Sequence, residues 1–207
     1  MKILALSDRT VPFIYSSAVE EHFSDVQLVV GCGDLEAPYL EYVLTRLNVP
    51  LLYVHGNHDA DDFDVPGGLS IDGRVVTLHG FRIGGLGGSR RYKSDGIHQY
   101  TEAEMSWRVA RMLLRLAPVR FAHGHGLDLL LTHSPPLGIH DMPDFAHTGF
   151  ASFHTLIRLA RPRLMLHGHS HAVRNIDTTE SILYSTPIVN VYPHRVIELG
   201  AEGPPVY

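Results

Sequence analysis

The sequence predicts an α/β fold around a largely parallel sheet, and three observations carry that expectation. Short apolar runs alternate with helical stretches through the first half, the rhythm of βαβ units. Five of the apolar runs lead into a residue that ligates a hard cation or moves a proton. Histidine is in excess, with 15 among 207 residues, which points towards metal or acid–base chemistry.

The first strand is expected at 3–6 and leads to Asp8. A helical stretch at 16–23 separates it from a strand at 26–30, which leads to Gly33-Asp34. A second helix near 38–47 precedes a strand at 51–54, followed by Gly56-Asn57-His58-Asp59. Each of these runs is short, apolar and bounded by glycine or polar residues, as buried strands are. The texture then changes. Ile71-Asp72-Gly73-Arg74 predicts a hairpin turn and residues 77–80 a second. Gly84-Gly85-Leu86-Gly87-Gly88-Ser89 lacks the Gly-Lys-Ser/Thr ending of a P-loop, so it reads as a tight bend between hairpin and loop.

Thr101-Glu102-Ala103-Glu104 is a capping box that opens the best helix of the chain. Met105, Val109, Met112, Leu113 and Leu116 recur at helical spacing as a core stripe, and Pro118 is expected to stop the helix. A strand at 127–132 leads to His133, followed by a long loop to Thr148 and a helix to about Ala160. The strand at 164–166 leads to Gly168-His169-Ser170-His171, and strands at 182–184, 188–191 and 195–199 complete the chain. With no repeat or linker to divide it, 1–200 is expected as one domain and 201–207 as a loose tail.

Bulk properties exclude some classes. A formal charge of −5 argues against an extended nucleic-acid surface. No stretch has the length and apolarity of a membrane span, and no apolar leader with a cleavage site follows Met1-Lys2. A single cysteine, Cys32, allows no internal disulfide, so a reducing cytoplasmic location is expected. Between Gly31 and Gly33, Cys32 reads as a small buried residue rather than a thiolate ligand.

Open α/β sheets place ligands beyond the carboxyl ends of their strands. Aligned ends would gather Asp8, Asp34, Asn57, His133 and the His169/His171 pair on one edge, a set suited to a two-metal hydrolase. The Asp34 carboxylate can bridge two cations, and Asn57 supplies a neutral amide oxygen. His169 and His171, two residues apart, can diverge towards neighbouring ions. Mixed imidazole, carboxylate and amide donors suit Mn, Fe, Zn or Ni better than Ca or Mg. His58 need not ligate and is placed to protonate a leaving alkoxide, while Asp59 could fix its tautomer.

Gly33-Asp34, Gly56-Asn57-His58-Asp59, Thr132-His133-Ser134-Pro135-Pro136 and Gly168-His169-Ser170-His171, in this order, resemble the calcineurin-like metallophosphoesterases. With Asp8 they span residues 8–171. The resemblance implies a four-layer αββα sandwich of two mixed β-sheets flanked by helices. It implies two divalent metal ions, Mn foremost, at the strand ends. Asp34 would bridge both, Asp8 and His171 would complete metal one, and Asn57, His133 and His169 would complete metal two. His58 would be the general acid. The implied reaction is in-line attack of a metal-activated hydroxide on a phosphomonoester or phosphodiester, with a phosphorylated small molecule or nucleotide as substrate.

One departure bears on the metals. The family's first motif is Asp-x-His, whereas this chain has Asp8-Arg9-Thr10, and a hydroxyl ligates far less strongly than imidazole. Three outcomes stay open: a weakened but occupied first site, a one-metal enzyme, or an inactive relative that serves as a scaffold. The otherwise complete set favours the first. Candidate substrate contacts are Arg9, the patch Arg90, Arg91, Tyr92 and His98, and His147 in the loop 138–149 with His140, Asp141 and Asp144. Plain solvent exposure is the competing reading for each. His123-Gly124-His125 precedes its strand and is expected at the opposite end of the sheet. A nuclease is the weaker enzymatic alternative, since an acidic chain attracts a phosphate backbone poorly.

Overall fold

Along β1 (Lys2–Leu6) successive side chains enter two different interiors. Ile3 and Ala5 join one apolar cluster, Leu4 and Leu6 another. A strand buried on both faces must be apolar throughout, which is why it reads as a continuous run rather than an alternation. The same division recurs in β9 (Leu129–Thr132), where Leu129 and Leu131 face one cluster and Leu130 a third. These pleats define a layered molecule. The protein is described by a computed structural model over residues 1–171 and 178–200; the tail expected at 201–207 lies outside the described residues.

After β1 come α1 (Ala18–Phe23), β2 (Leu28–Gly31), α2 (Ala37–Leu47), β3 (Leu51–Tyr53) and β4 (Leu69–Ser70). Then follow β5 (Val75–Leu78), β6 (Phe81–Leu86), β7 (Ser89–Arg90), β8 (Gln99–Tyr100), α3 (Glu102–His123) and β9. A short 3-10 turn at Phe145–His147 interrupts the long loop before α4 (Ser152–Ala160), β10 (Leu164–His167), β11 (Glu180–Leu183), β12 (Thr186–Asn190) and β13 (His194–Glu198).

One sheet has the order β13-β1-β2-β3-β4 and the other β11-β12-β10-β9-β6-β5. Both are mixed: parallel pairs fill their centres, while β13, β11 and β5 pair antiparallel at the edges. The cluster between the sheets draws residues from Ile3 to Leu199. Buried side chains of α1 and α2 pack on the outer face of the first sheet, and those of α3 and α4 on the second. The expected two mixed sheets flanked by helices are therefore present. No helix among the described residues is long and apolar enough to cross a membrane.

Three local expectations are corrected. The turn at 71–74 exists, with Arg74 N–H on the Ile71 carbonyl at 2.9 Å. It closes no hairpin, however, because the chain passes there from β4 in one sheet to β5 in the other. Gly84 and Gly85 lie inside β6 rather than in a bend. A Cβ at Gly85 would meet Val54 Cγ1 at 2.7 Å, so glycine here permits close approach of the two sheets. Pro118 does not stop α3. It withholds one N–H from the Leu114 carbonyl, on a side of the helix where Leu114 is 76% exposed, so solvent can replace the lost donor. The helix ends instead at Gly124, at φ 77°, whose N–H bonds the Arg120 carbonyl.

Candidate metal centre

The carboxyl ends of β1, β2, β3, β9 and β10 carry the expected ligands. Asp8, Asp34 and His169 have φ of 61°, 55° and 65°, a region that few non-glycine residues adopt. At each of these strand ends the chain folds back sharply, and neighbouring loops hold the bends. Asp8 N–H bonds the Gly33 carbonyl at 3.1 Å, and Gly168 N–H bonds the His133 carbonyl at 3.0 Å. His169 N–H donates to the Asp8 carboxylate at 2.9 Å, and His58 N–H donates to Asp34 Oδ1 at 2.8 Å.

Glycines make this crowding possible. A Cβ at Gly33 would lie 2.6 Å from His133 Nδ1. One at Gly56 would run into the Asp34 carboxylate, and one at Gly168 into Ser7 Oγ and the Asp8 carboxylate. Each motif glycine leaves the space that a neighbouring loop occupies.

Ligating atoms of Asp34, His133 and His169 all lie within 4.8 Å of one another. His133 Nε2 is 3.0 Å from Asn57 Oδ1 and 3.4 Å from Asp34 Oδ2. Its Nδ1 faces the Cys32 carbonyl at 2.8 Å. A carbonyl only accepts, so Nδ1 carries the proton and Nε2 is presented to the site. His169 uses the opposite tautomer: Nε2 faces the Ala146 carbonyl at 2.9 Å, which leaves Nδ1 for a ligand. On the other side, His171 Nε2 stands 3.6 Å from Asp8 Oδ1 and its ring stacks on Tyr192.

Charge and burial suit a cation. Burial opposes ionisation of Asp34, but the His133 charge and the His58 N–H outweigh it and hold the carboxyl well below its ordinary range. Asp8 is likewise held low against burial, chiefly by His171 and then His133. Burial disfavours a charged His133, yet Asp34 and Asp8 raise it to about 9. His169 is pushed down to about 3 by burial and then by His133. Two carboxylates, an amide oxygen and correctly oriented imidazoles thus face one another, a donor set that fits borderline divalent metals.

A cavity of about 370 Å³ opens over Asp8, Asp34, Asn57, His169 and His171, with His58, Tyr92 and His147 on its walls. His147 is steadied by Asp144 at 2.7 Å, and its ring centroid is 4.8 Å from that of His169. The remaining expected contacts lie elsewhere. Arg90 pairs with Glu102 at 2.7 Å and Arg91 with Glu104 at 3.1 Å. His98 stacks on His55, its Nε2 3.3 Å from the Ala60 carbonyl. Arg9 is exposed and Thr10 half-buried, and neither lines the cavity. Asp59 does not hold the His58 ring. Its carboxylate turns inward to accept from Gly56 N–H at 2.7 Å and Asp34 N–H at 3.3 Å.

The contact that sequence reasoning underrated is Tyr92, whose hydroxyl accepts from Asn57 Nδ2 at 3.2 Å. It stands in the expected patch, but its charged neighbours drew the functional reading. A second cavity of about 390 Å³ adjoins the first through His171 and reaches His140 and Ser170. There His140 Nδ1 is 2.9 Å from His167 Nε2. His125 lies apart from these groups, bonded to Asp128 and Arg82.

A family model described as the calcineurin-like phosphoesterase superfamily domain matches residues 1–191. No curated protein matches the chain. One crystal structure superposes with a TM-score of 0.64 at 16% identity, covering 92% of this chain and 90% of that one. The protein TT1561 of Thermus thermophilus gives 0.62 at 16% identity, with 92% and 88% covered. A Vps29 single mutant from Entamoeba histolytica aligns at 16% identity over 99% of this chain and 78% of that one, with a TM-score of 0.43. The first two likenesses show a shared fold.

Proposed function

Because the chain belongs to the calcineurin-like phosphoesterase superfamily, we propose that it is a metal-dependent hydrolase of a phosphomonoester or phosphodiester. The observation that carries this reading is the convergence of Asp34, His133 and His169 within 4.8 Å, beneath a cavity that has an exposed His58 on its wall. Asp8, Asp34 and His171 would hold one divalent ion, and Asp34, Asn57, His133 and His169 a second. When bound, such ions lower the pKa of water and offset charge on the phosphoryl oxygens.

The chain's own groups do the rest. His58 is tied through its N–H to Asp34 Oδ1, so its position follows the shared carboxylate, and its ring gives a proton to the departing alkoxide. Tyr92 orients Asn57 so that the amide oxygen faces His133. His147, on the wall of the same cavity, is placed beside a phosphoryl group bound there. Thr10 makes the first cation site the poorer of the two, with Mn the favoured occupant and Fe, Zn or Ni the alternatives. The substrate is a phosphorylated small molecule or nucleotide, and the lone buried Cys32 fits a reducing, cytoplasmic setting.

Metal counting on purified protein, combined with release of p-nitrophenol from mono- and diesters, tests the reading. Asn57→Ala should abolish turnover, and His58→Ala should lower it by about 10²–10⁴-fold. Protein that carries two ions and turns over no ester with any divalent metal would exclude the enzyme. The scaffold alternative rests on Thr10, and calorimetric metal titration beside a phosphatase screen separates the two.

A further inference from the structure

Helix α3 presents two apolar stripes. Met105, Val109, Met112 and Leu116 are buried in the core. On another face Trp107, Leu114 and Phe121 are 66%, 76% and 91% exposed. Ala103, Ala110 and Ala117 fall between them. The outer stripe therefore runs 103, 107, 110, 114, 117, 121, the alternating four-and-three spacing of a coiled-coil seam. A solvent-facing helix side ordinarily carries polar residues. Isolated apolar exposures are common, but a seam in unbroken register is not isolated. Continuation of α3 through Pro118 keeps Phe121 in line with Leu114.

The seam is also self-complementary. Laid antiparallel on a copy of itself about a two-fold axis at Met112, it sets Trp107 against the partner's Ala117. Leu114 then meets the partner's Ala110, and Phe121 the partner's Ala103. Each bulky side chain meets a small one, and no bulky pair collides. A two-fold interface requires this reciprocity, and the alanines allow close helix approach. What favours a second copy over an unrelated helix is the alternation of bulky and small residues, which the seam matches with its own reverse. At their exposures, Trp107, Leu114 and Phe121 offer about 500 Å² per copy and about 1,000 Å² for a pair, the size at which specific interfaces begin.

We propose that the outer face of α3 pairs antiparallel with the same face of a second copy, so that the chain is a homodimer. At the rim the exposed Arg111 falls beside the partner's Arg111, which makes the association modest and stronger at high salt.

Sedimentation velocity of the full chain over a concentration series should show a species of twice 23.0 kDa. Leu114→Glu should remove that species and leave the far-ultraviolet dichroism unchanged, with a thermal midpoint equal to that of the wild type at dilutions where it is monomeric. Register is tested by mixing wild type with Arg111→Glu, which should yield more heterodimer than the statistical half. A chain that stays monomeric throughout overturns the proposal, even if it adsorbs to anionic vesicles. A dimer untouched by Leu114→Glu overturns it as well.

Discussion

The Nδ1 atom of His133 lies 2.8 Å from the main-chain oxygen of Cys32, a bond that joins the end of β9 in one sheet to the end of β2 in the other. It fixes the His133 tautomer, so Nε2 is the atom offered to a cation or, without one, to a proton. Burial works against that proton, but Asp34 and Asp8 keep it bound up to about pH 9. A cation must displace it. Affinity for the second ion should therefore rise with pH, by about tenfold per unit, and level off once His133 is neutral. Calorimetric titration of Mn from about pH 6 to about pH 10, in buffers of differing ionisation enthalpy, reads both the slope and the released proton. An affinity flat across that range would show that His133 does not ligate.

Tyr92→Phe deletes one oxygen and leaves the ring. Asn57 Nδ2 loses its partner at 3.2 Å, and the amide is freer to turn its oxygen away from His133. Metal affinity at the second site should fall about tenfold, the lower end of what lost orienting partners cost, with thermal stability unchanged. Equal affinity in the variant would show that Asn57 is held without Tyr92.

Asp59→Ala separates an architectural from an acid–base role. The carboxylate accepts from Gly56 and Asp34 N–H groups, and burial raises its pKa despite the Gly56 bond. Removal should destabilise the chain by about 2 kcal/mol, as for hydrogen bonds to a charged group, visible in urea unfolding. Unchanged stability together with a shifted pH–rate profile would instead tie Asp59 to His58.

Gly168→Ala adds a methyl group where Ser7 Oγ and the Asp8 carboxylate stand. The expected cost is about 1–3 kcal/mol of stability and loss of the first cation before the second. Metal content per chain, measured beside unfolding, reports both. Retention of two ions would mean that Asp8 moves without leaving the site.

The positions of Asp8, Asp34, Asn57, His133 and His169 were legible in the sequence because the signal is local. A buried strand must be a short apolar run, and the polar residue at its carboxyl end follows directly. Arg90 and Arg91 misled for the opposite reason: the partners that turn them away, Glu102 and Glu104, sit on a helix whose placement no local pattern gives. Gly84 and Gly85 look like a bend because glycine usually marks one, yet the close approach of Val54 from the other sheet is purely tertiary. Asp59 faces inward because two N–H groups from separate loops need an acceptor, a requirement visible only once those loops meet. Pro118 shows propensity yielding where a missing donor costs little, beside an exposed Leu114.

The left-handed bends at Asp8, Asp34 and His169 have a consequence for the choice of ion. A receptacle whose walls are bolted together by main-chain bonds cannot dilate or contract much around different radii. Under the proposed function, radius would then count beside donor softness in the choice among Mn, Fe, Zn and Ni, because the site would not reshape itself around an ion that fits poorly. Swapping one divalent ion for another would then change how fully the site is filled before it changed the shape of the site.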